Sequence, residues 1–130
     1  MPLKRISSQS GTLAEHYTEY AHVQGNRQML ELLPRLEAVC LPNNVWGLTS
    51  HHTLWLVAED DGIPMVEESG VWRPRWQISV SHDGYIFEIA YGMSPHTAPF
   101  TGAFVRGTRE KPEEAAEIVA IGINSCGAWR

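Results

Sequence analysis

The stretch WQISVSHDGYIFEIAY, residues 76–91, constrains the fold more than any other part of the chain. Apolar and polar residues alternate on both sides of Asp83-Gly84, the period of a strand with one buried face. An Asp-Gly pair favours a two-residue type I′ turn, in which both central residues need positive φ. With that turn, His82 faces Tyr85, Val80 faces Phe87, Ile78 faces Ile89 and Trp76 faces Tyr91. One face then collects Trp76, Ile78, Val80, Tyr85, Phe87, Ile89 and Tyr91. The other collects Gln77, Ser79, Ser81, Glu88 and Ala90, with Ile86 the exception. A slip of one residue would scramble this separation, so the pattern specifies its own pairing. Burying seven such side chains is worth roughly 10 to 20 kcal/mol gross. That is an upper figure, because an unfolded chain is already partly collapsed. The hairpin is therefore mainly scaffold, and something must cover its aromatic face.

The C-terminal segment KPEEAAEIVAIGINSCGAW supplies the cover. Helical spacing puts Ala115, Ile118, Val119, Gly122 and Cys126 on one face. Pro112 suits a first helical position, and Glu113 and Glu114 suit the positive end of the helix dipole. Gly122 has no propensity reason to sit inside a helix, which points to a close approach to the sheet. Gly127 suits a C-cap.

Upstream, TLAEHYTEYAHVQG predicts a helix with Leu13, Tyr17, Tyr20 and Val23 on one stripe. NRQMLELLPRLEAVC predicts another, through Met29, Leu30, Leu33, Leu36 and Cys40. Pro34 should kink it or divide it into two short helices, the second starting at Pro34. Residues 45–49 and 53–58 predict strands, and EDDG a turn into a short edge strand near 63–68 that carries Pro64. TGAFVRGT predicts one more strand between glycines. Residues 1–11 are polar and are expected to be loosely held. The expected fold is α+β: a helical N-terminal third, an antiparallel sheet of four or five strands, and a C-terminal helix packed on one sheet face. A chain of 130 residues with this continuity is one domain, 1–130.

Composition narrows the function classes. Asp plus Glu outnumber Lys plus Arg, 15 to 10, so the net charge is −5. That is the wrong sign for a nucleic-acid binder, whose affinity comes mostly from cations on phosphates. The longest apolar runs, LWLVA and IVAIGI, fall far short of a membrane span. MPLKRISSQS carries basic residues with no apolar run behind them, unlike a secretory signal. Cys40 and Cys126 occur without a CxxC motif, which fits free thiols in a reducing compartment. A Cys40–Cys126 disulfide is the alternative. A cytoplasmic location is expected.

Catalytic and metal motifs are sparse. His16 and His22 are six residues apart, off one helical face, and His51-His52 adjoin on a turn and should point apart. His82 and His96 fall in turn and loop, so no metal site is expected. No GxSxG elbow, Walker loop or GxGxxG is present, and no cofactor is expected. Both cysteines sit on apolar stripes and read as small buried hydrophobes. No residue is assigned a catalytic role.

Two segments stand out as candidate partner-binding surfaces. In VWRPRW, residues 71–76, Trp72 and Trp76 flank Arg73 and Arg75 around Pro74. Arg and Trp are common interface anchors, while a strand entry with solvated arginines is the competing reading. In YGMSPHTAPF, residues 91–100, two prolines stiffen a loop beside a rigid sheet. Met93, His96 and Phe100 are its candidate contacts, and a plain connector is the competing reading.

In size, acidity, Trp content and lack of catalytic motifs, the whole chain is similar in broad character to bacterial toxin-immunity proteins and phage-encoded anti-defence proteins. No signature residue carries that likeness. It implies a non-enzymatic protein-binding module that inhibits a partner protein, such as a basic enzyme, with a homodimer left open. An alternative is a nucleotide-binding or sequestering protein, with Trp72 or Trp76 stacking on a base and Arg73 or Arg75 on phosphate. A third is a small histidine-dependent enzyme, for instance with His96 near Cys126 or Glu88.

Overall fold

A computed structural model of the chain describes residues 3–60, 65–68, 70–74 and 77–129, with the backbone path alone over 65–68 and 71–74. Pro64, Arg75 and Trp76 lie outside the described residues, so the expectations placed on them do too. The elements run β1 (Leu3–Arg5), α1 (Leu13–Glu19), α2 (Asn26–Cys40), β2 (Val45–Ser50), β3 (Thr53–Val57), β4 (Met65–Glu68), β5 (Val71–Pro74), β6 (Ile78–His82), β7 (Phe87–Gly92), β8 (Phe104–Arg109) and α3 (Pro112–Ser125). The class is α+β. A six-stranded sheet has the order β1-β2-β3-β6-β7-β8, while among the described residues β4 and β5 pair only with each other.

The sheet is larger than expected because it starts earlier. β1 pairs parallel with β2, through Leu3–Val45, Lys4–Trp46 and Arg5–Gly47. All other neighbours are antiparallel. Leu3 and Ile6 are both buried, so part of the segment expected to be a loose lead-in is built into the sheet. A three-residue strand is too short to show a period in sequence.

The central hairpin keeps its faces but not its predicted register. His82 pairs with Phe87, Val80 with Ile89 and Ile78 with Tyr91, a shift of two residues. Because side chains alternate with period two, this shift leaves Ile78, Val80, Phe87, Ile89 and Tyr91 together, and all are buried. Their burial contributes roughly 7 to 15 kcal/mol gross. The cause lies in the turn. The Asp83 carboxylate accepts from the Tyr85 and Ile86 amides at 2.8 and 2.9 Å, closing a four-residue loop in place of the type I′ turn. Tyr85 leaves the strand and stands 81% exposed.

Helix α2 is continuous from Asn26 to Cys40 with Pro34 inside it. Pro34 is exposed, while Met29, Leu32, Leu33, Leu36 and Cys40 pack inward on the opposite side. Tertiary burial of that face outweighs the local cost of the proline, so the helix does not divide. Together α2 and α3 cover one face of the sheet. Beneath them run the rows Gly47–Leu56–Ile78–Tyr91–Val105 and Thr49–Leu54–Val80–Ile89–Gly107. A second apolar cluster lies on the other face, where Ile6, Leu48 and Val57 are buried against Trp46 and Trp55. Further along that face the side chains become polar, and Arg106 pairs with Glu88 at 3.3 Å.

Candidate functional site

The antiparallel register sorts the connections to two ends of the sheet. The α2–β2 link, the β3–β6 excursion holding β4 and β5, and the β7–β8 loop leave from one end. The α1–α2 corner and the β2–β3 and β6–β7 turns gather at the other.

Both segments singled out in the sequence belong to connections that leave from the first end. Trp72 and Arg73 lie within β5, opposite Glu67 and Val66 of β4. The 93–103 loop is closed at its base by the Met93 amide donating to the Ala103 carbonyl at 2.9 Å. Inside it, the buried Ser94 acts as a hub. Its carbonyl accepts from the Thr97 and Ala98 amides at 3.0 and 2.9 Å, and its hydroxyl accepts from the His96 amide at 3.3 Å. Met93 is half-buried, and His96 and Phe100 are exposed. Phe100 is 68% exposed, and Phe104, which opens β8, is 47% exposed. Leu41, in the α2–β2 link, is 64% exposed.

The second end carries His16, His22, His51, His52 and His82, five of the six histidines in the chain. The sequence suggested that they were unconnected, but two of them converge. His16 Nε2 lies 3.3 Å from His52 Nδ1, although the residues are 36 apart in sequence. Local spacing carried no signal for this pair. β2 and β3 bring His52 up through a turn in which His51 and His52 have φ of 50° and 66°, a left-handed region where histidine is tolerated better than most non-glycine residues. Helix α1 brings His16 across from the other side, with Tyr17 Oη donating to the His52 carbonyl at 3.1 Å. Tyr20 packs against both rings at 5.2 Å between centroids.

Around the pair sits a polar network that sequence reasoning missed. Arg5 Nη2 lies 3.3 Å from His16 Nδ1 and donates to Thr49 Oγ1 at 2.8 Å. Gln9 bonds the Thr49 backbone in both directions, at 2.8 and 3.0 Å. Asn26 is buried, donates to the Tyr20 carbonyl at 2.9 Å, and lies 3.3 Å from His52 Nδ1. The available clue was Thr49, a polar residue on the helix-facing side of an otherwise apolar strand. Gly25, with φ of 92°, lets the α1–α2 corner pass against the His82 carbonyl, where any Cβ would overlap that oxygen. A shallow recess of about 250 Å³ lies beside this corner, lined by His22, Gln24, Arg27, Gln28 and Gly84 among others.

Neither cysteine is placed to act as a nucleophile. Neither is in a disulfide, and both are buried. Burial pushes the Cys40 thiol up to about 12, with Glu37 adding to the effect, and burial also raises Cys126. Among the described residues no group of three or more His, Cys, Asp or Glu could hold a metal ion. Among them, too, no helix is long and apolar enough to cross a membrane. No protein-family model, curated protein or solved structure matches this chain.

Proposed function

We propose that this chain is a small, non-enzymatic protein-binding module that inhibits its partner, in the manner of toxin-immunity and anti-defence proteins. It docks through the end of the sheet that carries the 93–103 loop. The observation that carries the proposal is Phe100, which is 68% exposed on a loop already fixed by the Ser94 hub and the Met93–Ala103 closure. A large apolar side chain held in water on an ordered loop binds without the ordering penalty a floppy loop would incur. Phe104 and Leu41 extend apolar exposure at the same end. Trp72 and Arg73 lie in the β3–β6 connection, which leaves the sheet from that end.

The net charge of −5 favours a basic partner, such as an enzyme that handles nucleic acid, and would steer its approach. The test is affinity purification from the source cell with the wild-type chain and with a Phe100→Ala/Phe104→Ala variant. A stoichiometric partner retained by the first and lost by the second supports the proposal. Absence of a stoichiometric partner, or equal retention by both, would sink it.

A further inference from the structure

We propose that His16 and His52 form a pH-sensitive latch that fastens β1 and α1 to the β2–β3 turn and lets go when either ring gains a proton. Hydrogen-bond direction carries the inference. A guanidinium only donates, so His16 Nδ1, 3.3 Å from Arg5 Nη2, must accept. The His16 proton therefore sits on Nε2, which faces His52 Nδ1 at 3.3 Å. The Asn26 amide is oriented by its bond to the Tyr20 carbonyl, so its nitrogen also points a proton at His52 Nδ1 from 3.3 Å. That nitrogen must accept as well. All these contacts are satisfied together only when both rings are neutral and protonated at Nε2.

A second proton on either ring breaks the chain. On His16 it would lie at Nδ1, donor against donor with Arg5. On His52 it would lie at Nδ1, against both His16 Nε2–H and the Asn26 amide. Either event also places a cation beside another ring or beside a guanidinium, with ring centroids only 5.3 Å apart. The groups facing the pair are Arg5 from β1, Tyr17 and Glu19 from α1, Tyr20 just past its end, His22 across the Tyr20 ring, Asn26 from α2 and Thr49 from β2. Glu19 is the one anion in that set, and it opposes the effect without cancelling it. Burial, then Arg5 and His52, hold His16 below its usual 6.5. A histidine held low in the folded state leaves the unfolded chain the better proton acceptor. The latch is therefore intact above about 6.5 and is lost as pH falls from there towards the lowered value.

The test follows amide hydrogen exchange in the full chain at pH 7.5 and 5.5, corrected for intrinsic rates. Nitrogen shifts of the imidazoles are recorded alongside. The expected result is that protection of the α1 amides falls at least about tenfold at the lower pH, while β7 and α3 hold. That loss should shrink in His16→Gln and in His52→Gln, disappear when both are replaced, and persist in His82→Gln. Should the glutamine variants not fold, the wild-type imidazole shifts still decide. At pH 7.5 both rings should carry their proton on Nε2. An Nδ1–H tautomer on either ring, equal loss across α1 and α3, or no pH effect on α1 would each overturn the proposal.

Discussion

Gly122 of α3 lies so close to Tyr91 of β7 that a Cβ at position 122 would come within 2.9 Å of the tyrosine ring and 3.1 Å of Ile78 Cδ1. The helix rides directly on the aromatic face of the hairpin, and the missing side chain sets the spacing. Gly122→Ala should therefore destabilise the protein, although alanine is the better helix former by about 1 kcal/mol. Overpacking of a filled core costs about 1 to 3 kcal/mol, and less the helix-propensity gain this leaves up to about 2 kcal/mol, a fall in Tm of up to roughly 8 °C. Differential scanning calorimetry checks it, and a Tm unchanged or raised would mean the interface can give way.

The Asp83 side chain sets the hairpin register. Its two amide bonds hold the carboxyl below its usual 3.8. A carboxyl held low stabilises the folded state at all pH values above the ordinary one, and that contribution disappears as pH falls through the lowered value. Asp83→Ala should speed exchange of the Tyr85 and Ile86 amides at pH 7 and leave those of Ile78 and Ile89 protected. Asp83→Asn, which keeps an accepting oxygen, should restore most of the protection.

These two places show where sequence suffices and where it does not. The shared face of Ile78, Val80, Phe87, Ile89 and Tyr91 was legible because alternation is a local property that survives a shift of two. The spacing role of Gly122 was legible because helix propensity disfavours glycine there, so close packing had to favour it. The turn was misjudged because the Asp-Gly preference competes with an aspartate side chain that bonds forward, and the pair allows both outcomes. Continuity of α2 through Pro34 depends on what its inner face buries, which the proline itself does not reveal. The meeting of His16 with His52 depends on a sheet register and a helix docking together, so no spacing encodes it. Met93, His96 and Phe100 stand out as a candidate loop because of its prolines, but the Ser94 hub that orders the loop leaves no mark in the sequence.

Binding should depend on that loop in a measurable way. Against the purified partner, Phe100→Ala should weaken affinity by about thirtyfold, the scale of a 2 kcal/mol anchor, with Tm unchanged. Raising salt from 50 to 500 mM should lower the association rate and leave dissociation nearly constant. Surface plasmon resonance separates the two rates. A mutational effect confined to the association rate would place Phe100 at the rim of the contact.

The thiols offer a test of the core. Cys40 and Cys126 should stay silent to a disulfide-exchange reagent at pH 8 in native buffer and react together once denaturant crosses the unfolding midpoint. Both are buried, and burial raises both thiols. Rapid labelling of Cys126 alone would show that the end of α3 opens independently.

The pairing of β3 with β6 has a consequence for how this molecule can change. Leu54, Trp55 and Leu56 are hydrogen-bonded partners of Val80, Ser79 and Ile78, and no rung of the large sheet passes through β4 or β5. Since closing a longer loop adds only about 0.6 kcal/mol per doubling, the β4–β5 pair behaves as an interchangeable cartridge. Its length and chemistry can be rewritten while the framework that presents it stays as it is.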